Sequence, residues 1–241
     1  MYRKLRLYSL FLTALLLTTA DPSWAGQSWA GQSWKDKPVS QWDTEDAKQV
    51  LTDSPWVKQV TPQNVRDLSP DERRAGGDMQ AGIGKGVGLA GLGILGPRRE
   101  AEAIARAHYK PAPDAVVVRW ESAQPVRAAE QKVGETGVPT LDSEHYAIVV
   151  YDILTPERWN LANELKGIAY LKRDAAKTLK PSKVEILRQP DGKATVVYLF
   201  PRSKEIGKKD GRLEFVAQIG RLFVSQFFYT WQMQIDGQLE L

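Results

Sequence analysis

The sequence contains no cysteine, which excludes disulfide frameworks, thiol nucleophiles, cysteine-ligated metals and a lipobox anchor. Histidine is nearly absent too. The two present, His108 and His145, lie at no ligand spacing from one another, so a typical zinc site is poorly supplied and each reads as a surface or edge residue. No serine stands in a GxSxG elbow. Apolar runs of membrane-spanning length are also missing: Leu7–Leu17 has 11 residues, against the roughly 20 that a spanning helix needs.

Net charge is scarce once the first residues are set aside. Residues 1–20 hold three of the 33 basic residues and none of the 29 acidic ones, which leaves 30 against 29 in the rest of the chain. That balance argues against nucleic-acid binding. Charge is nonetheless uneven, with 13 Lys and Arg against 5 Asp and Glu between Lys166 and Arg212. Such a segment suits an acidic protein or an anionic envelope polymer, or else forms a solvated face.

Arg3, Lys4 and Arg6 ahead of the apolar run, with small residues after it, read as a secretory signal peptide over residues 1–30. Cleavage after Ala20, Ala25 or Ala30 fits the pattern, and the tandem SWAGQSWAGQSW spans the last two. The expected location is periplasmic or extracellular, with no transmembrane segment in the mature chain.

Residues 31–60 form a helical arm flanked by tryptophans. Asp43 or Thr44 caps a helix with Glu45 and Asp46 in its first turn, and Pro55 closes it. Ala47, Val50 and Leu51 fall at helical spacing. A helix this short is marginal in water unless it packs, so Trp42, Val50, Leu51 and Trp56 are candidate docking residues, facing either the rest of the chain or a partner.

Residues 61–96 read as a linker, since 9 of the 21 residues from Gly76 to Gly96 are glycine. GVGLAG and GLGILG in that tract match a dinucleotide fingerprint, but no strand precedes them and Pro97 delays the helix, so no cofactor is assigned.

From residue 97 onward an α+β domain is expected. A helix over 98–109 and strands over 114–122 and 145–153 alternate with helices at 125–132 and from Thr155. The chain from Ile168 then reads as successive strands with turns at Pro190–Gly192, Gly220 and Asp236–Gly237. The pattern predicts an antiparallel sheet with helices packed on one face.

No catalytic constellation or metal site is read from the residues. Glu121, at the end of VVVRWE, and Glu144 are the carboxylates to inspect for a hydrolase, and Arg202, where a strand stops, could face a carboxylate ligand or pair with Glu205 or Asp210. With SPW, VVVRWESAQPVRAA, LFPRSKEI and the stretch from LEFVAQIGRL to GQLEL in view, the chain resembles a family of exported proteins of unknown function from environmental bacteria such as Acidobacteria. The resemblance implies export and supplies no activity. Two functional readings follow: an exported non-catalytic protein that binds a protein or envelope component, and an extracytoplasmic hydrolase using paired carboxylates.

Overall fold

The computed structural model describes residues 32–65, 68, 71, 114–154 and 162–241. The signal-peptide reading, the glycine tract, the helix expected over 98–109, His108 and the helix start at Thr155 lie outside those residues. Gln32–Leu241 form one compact unit.

The fold is α+β, as the alternation of helical and strand patterns predicts. Its strands divide between two antiparallel sheets and a short ribbon. The first sheet orders β1 (Val57–Val60), β3 (Val116–Trp120), β4 (His145–Leu154), β7 (Lys193–Pro201) and β6 (Lys183–Arg188) side by side. The second orders β2 (Gln63–Asn64), β9 (Leu222–Tyr229), β8 (Arg212–Ile219) and β5 (Ala169–Arg173). β10 (Gln234–Ile235) and β11 (Gln238–Leu239) make the ribbon, turned at Asp236 (φ 47°) and Gly237 (φ 73°), the two positive φ values that a type I′ turn requires.

Strand register shows which side chains meet. Trp120, Ile148 and Tyr198 lie in one cross-strand row of the first sheet. Their face meets the second sheet through ring contacts, Trp120 on Phe228 (5.4 Å) and Tyr198 on Phe215 (5.3 Å). The opposite face carries Ala147, Val149, Val197 and Leu199, also buried. β7 is therefore covered on both sides, which explains the run ATVVYLF, apolar but for the buried Thr195.

Three helices complete the described unit: α1 (Thr44–Thr52), α2 (Gln124–Val133) and α3 (Ala162–Gly167). α2 ends at Gly134, whose φ of 68° gives the left-handed cap that favours glycine. α1 packs on α2 and α3 beside β6. In α1, Asp43 accepts from the Asp46 amide (2.8 Å) and Asp46 from the Asp43 amide (3.1 Å), a reciprocal cap. Lys37 and Ser33 also donate to Asp46, and these bonds hold its carboxyl down at about 2.

Of the arm expected over 31–60, residues 32–60 are part of this body. Short 3₁₀ turns at Ser33–Asp36 and Val39–Gln41 precede α1, and β1 then joins the first sheet beside β3. β1 and β2 went unpredicted because VKQV and QN are too short to show alternation.

Candidate functional site

The four residues offered as a docking face are interior. Trp42 (3% exposed), Val50, Leu51 and Trp56 (0%) are buried in the main core, so they do not form a surface for a partner. The reason is the need already apparent in the sequence: a nine-residue helix is stabilised by packing, and here its apolar stripe packs within the chain itself. Trp34 joins them, its ring 5.9 Å from Trp42 and 5.7 Å from Trp56. Trp42 Nε1 donates to the Trp34 carbonyl (2.9 Å), and Trp56 Nε1 to the Glu240 carbonyl (2.7 Å). That last bond joins the start of the unit to its final residues.

Glu121 and Arg202 belong to different environments. Glu121 is fully buried at the end of β3. Around it are Arg119 from the same strand, Arg127 and Glu130 from α2, Glu135 just beyond that helix, and Tyr151 from β4. Arg119 Nη1 lies 3.0 Å from Glu130, 3.2 Å from Glu135 and 4.0 Å from Glu121, with its guanidinium 4.6 Å from the Tyr151 ring centre. Arg127 Nη1 lies 2.8 Å from Glu130 and 3.4 Å from Glu121.

Three carboxyls facing two guanidiniums leave one negative charge in excess if all ionise. Glu121 has the longest contacts and the deepest burial, so the proton is placed there. Burial first, and then the Glu130 carboxylate, push the Glu121 carboxyl up to about 9, outweighing Arg119. Burial also drives the Tyr151 phenol far above its ordinary value. Glu121 Oε2, Arg119 Nε and the Tyr151 hydroxyl are enclosed here without a hydrogen-bond partner of good geometry among the described residues.

A carboxyl held protonated beside a second carboxyl is a pairing that acid-base chemistry uses. It needs access to substrate, however, and Glu121 and Glu130 are 0% and 3% exposed. Glu144, the other carboxylate singled out, is exposed, and its carbonyl accepts from the Arg202 amide (2.8 Å).

Arg202 stands at the rim of an open cleft of about 600 Å³. It pairs with neither Glu205 nor Asp210. Its Nε donates to the His145 carbonyl (3.1 Å), its Nη2 to the Leu241 main-chain oxygen (2.7 Å), and its guanidinium lies 4.3 Å from the Tyr146 ring centre. Asp210 instead faces Arg173 at 3.7 Å.

The cleft runs between Ser122 and Gln124 at the head of α2, the 202–208 loop, and the tail from Gln238 to Leu241. Its walls are tied down individually. The Tyr146 hydroxyl accepts from the Ile206 amide (3.1 Å), Arg173 Nη1 donates to the Glu205 carbonyl (2.9 Å), and Lys208 Nζ reaches the Gly237 carbonyl (2.5 Å). Lys208, Glu205 and Glu240 give the lining charges of both signs, and burial raises the Glu240 carboxyl. The pinned tail could not be foreseen, because GQLEL gives no sign of what it lies against.

His145 meets the Asp142 carboxylate (2.8 Å) at the start of β4, the central strand of the first sheet. Among the described residues no cluster of His, Asp and Glu could hold a metal ion, and no helix is long and apolar enough to cross a membrane. Neither a protein-family model, nor a curated protein, nor a solved structure matches the chain.

Proposed function

We propose that the protein is an exported, non-catalytic binding protein, of the uncharacterised exported bacterial family it resembles, whose Arg202 cleft holds a polar segment of an envelope component. One observation carries this reading: the cleft is open, lined by amide, hydroxyl and charged groups of both signs, and its walls are fixed by Arg202, Tyr146 and Trp56 before any ligand arrives. A preformed site spares the ordering cost of binding. Mixed charges suit a ligand that is itself sugar-like or zwitterionic more than a simple anion. Export is supported by the basic and apolar pattern of residues 1–20.

One feature favours hydrolysis as a second reading. Glu205 and Glu240 both line the cleft, and the latter has a raised carboxyl, so a carboxylate pair there would replace the sealed Glu121.

Titration of ¹⁵N-labelled protein with a soluble muropeptide tests both readings. Binding predicts resonance shifts confined to residues 122–124, 202–208 and 238–241, with the muropeptide intact. Absence of shifts there contradicts the binding reading. Cleavage by the wild type that is lost in the Glu205→Gln, Glu240→Gln double variant would establish the hydrolase instead.

A further inference from the structure

The second sheet has an outer face that the cleft does not use. Register places Arg212 opposite Tyr229, Glu214 opposite Phe227, and Lys172 opposite Glu214, all pointing away from the ring contacts with the first sheet. Near the Gly220 turn this face is closed along β8 and β9, with Val216 and Phe223 buried, whereas Tyr170, opposite Val216 on the edge strand β5, stays partly exposed. At the Arg212 end it is open. Trp231, just after β9, is 58% exposed, an uncommon degree for so large an apolar ring, and lies 4.7 Å from Tyr229 between ring centres.

Cations stand among these rings. The Arg212 guanidinium lies 5.1 Å from the Phe227 ring centre and Lys180 Nζ 5.5 Å from that of Tyr170. Lys172 and Lys177 are exposed on the same edge strand and the loop after it. Four cations thus meet two carboxylates, Asp174 and Glu214. Asp174 is held by Arg212 at 3.3 Å, and Glu214 accepts from Ser225 at 3.2 Å. The surface keeps a positive excess beside the exposed Trp231 ring and the partly exposed rings of Tyr229 and Phe227.

We propose that this open half of the second sheet docks an acidic polysaccharide, with Trp231 and Tyr229 stacking on sugar rings and Lys172, Lys177 and Lys180 meeting the carboxylates. The strands present side chains on this face at every second residue, a spacing suited to an extended polymer. Aromatic rings supply contact area at low entropic cost, and cations select an acidic chain from a neutral one. The proposal is independent of the Arg202 cleft, because no residue invoked lines it.

Affinity electrophoresis of the purified protein through gels containing polygalacturonate, dextran or single-stranded DNA tests it. Retardation by polygalacturonate but not by dextran is expected, weakening at least tenfold in Trp231→Ala and about threefold in the Lys172→Gln, Lys180→Gln variant. Both variants change exposed side chains, and an unchanged melting temperature confirms their fold. Equal retardation of Trp231→Ala and wild type, no retardation by polygalacturonate, or tighter retention by single-stranded DNA would overturn the proposal.

Discussion

Arg119 in β3 and Arg202 just after β7 lie against two tyrosines of β4, Arg119 at 4.6 Å from the Tyr151 ring centre and Arg202 at 4.3 Å from that of Tyr146. They differ in everything else they touch. Arg119 is 7% exposed among three glutamates, whereas Arg202 binds main-chain oxygens and borders an open cleft. The first arrangement balances buried charge and holds α2 to β3. The second fixes the wall of the cleft. A guanidinium stacked on a ring is therefore no guide to function until its remaining donors are traced.

The contrast can be tested first where it is energetically largest. Arg119→Met leaves Glu135 without its counter-charge and Glu121 and Glu130 with Arg127 alone, and its expected cost is about 3 to 5 kcal/mol, read as a fall in the denaturation midpoint. A loss below about 1 kcal/mol would show that the cluster is not a structural charge balance. On the other side, Trp56→Ala removes a fully buried ring and the bond that holds Glu240, at an expected cost of about 3 kcal/mol or more. Faster amide exchange over residues 238–241 should accompany it, and unchanged exchange would detach the tail from the tryptophan cluster.

The pH dependence is smaller but more diagnostic. Glu121 has a folded value of about 9 against an ordinary 4.5, so the folded state keeps a proton that the unfolded chain has released. Its contribution to stability is full below pH 4.5 and declines between about 4.5 and 9, by at most about 1.4 kcal/mol per pH unit. Glu121→Gln mimics the protonated acid, so it should match the wild type near pH 4.5 and exceed it by pH 8. Parallel pH profiles for the two proteins would mean that Glu121 is ionised in the fold. The smallest effect is expected for Arg202→Gln, about 1 kcal/mol, because its partners are main-chain oxygens that water can reach.

Much of the frame is legible in the sequence because it is locally encoded. Asp43 before an acidic first turn specifies the cap of α1, Gly134 the end of α2, and Asp236-Gly237 the last hairpin turn. Alternation and apolar runs locate the long strands. The division into two sheets is not legible, since it depends on which distant strands pair: KATVVYLF reads equally as the centre of one sheet or as a strand shared between layers. Glu121 and Arg202 are visible as polar residues at strand ends, but their surroundings are not. Glu121 meets Glu130 only because the turn after Trp120 folds α2 back over β3, and Arg202 meets Leu241 only across 39 residues. The spacing of Arg127 and Glu130, one helical turn apart, was the one local signal of the buried cluster.

On the reading proposed above, ligand recognition belongs to the Arg202 cleft and charge balance to the Glu121 cluster. Calorimetric titration of a soluble muropeptide into wild type, Glu121→Gln and a Gln124→Ala, Lys208→Ala double variant tests it most directly. Glu121→Gln is expected to bind as the wild type does and the cleft variant at least tenfold more weakly. Loss of binding in Glu121→Gln, with the cleft variant unaffected, would contradict it.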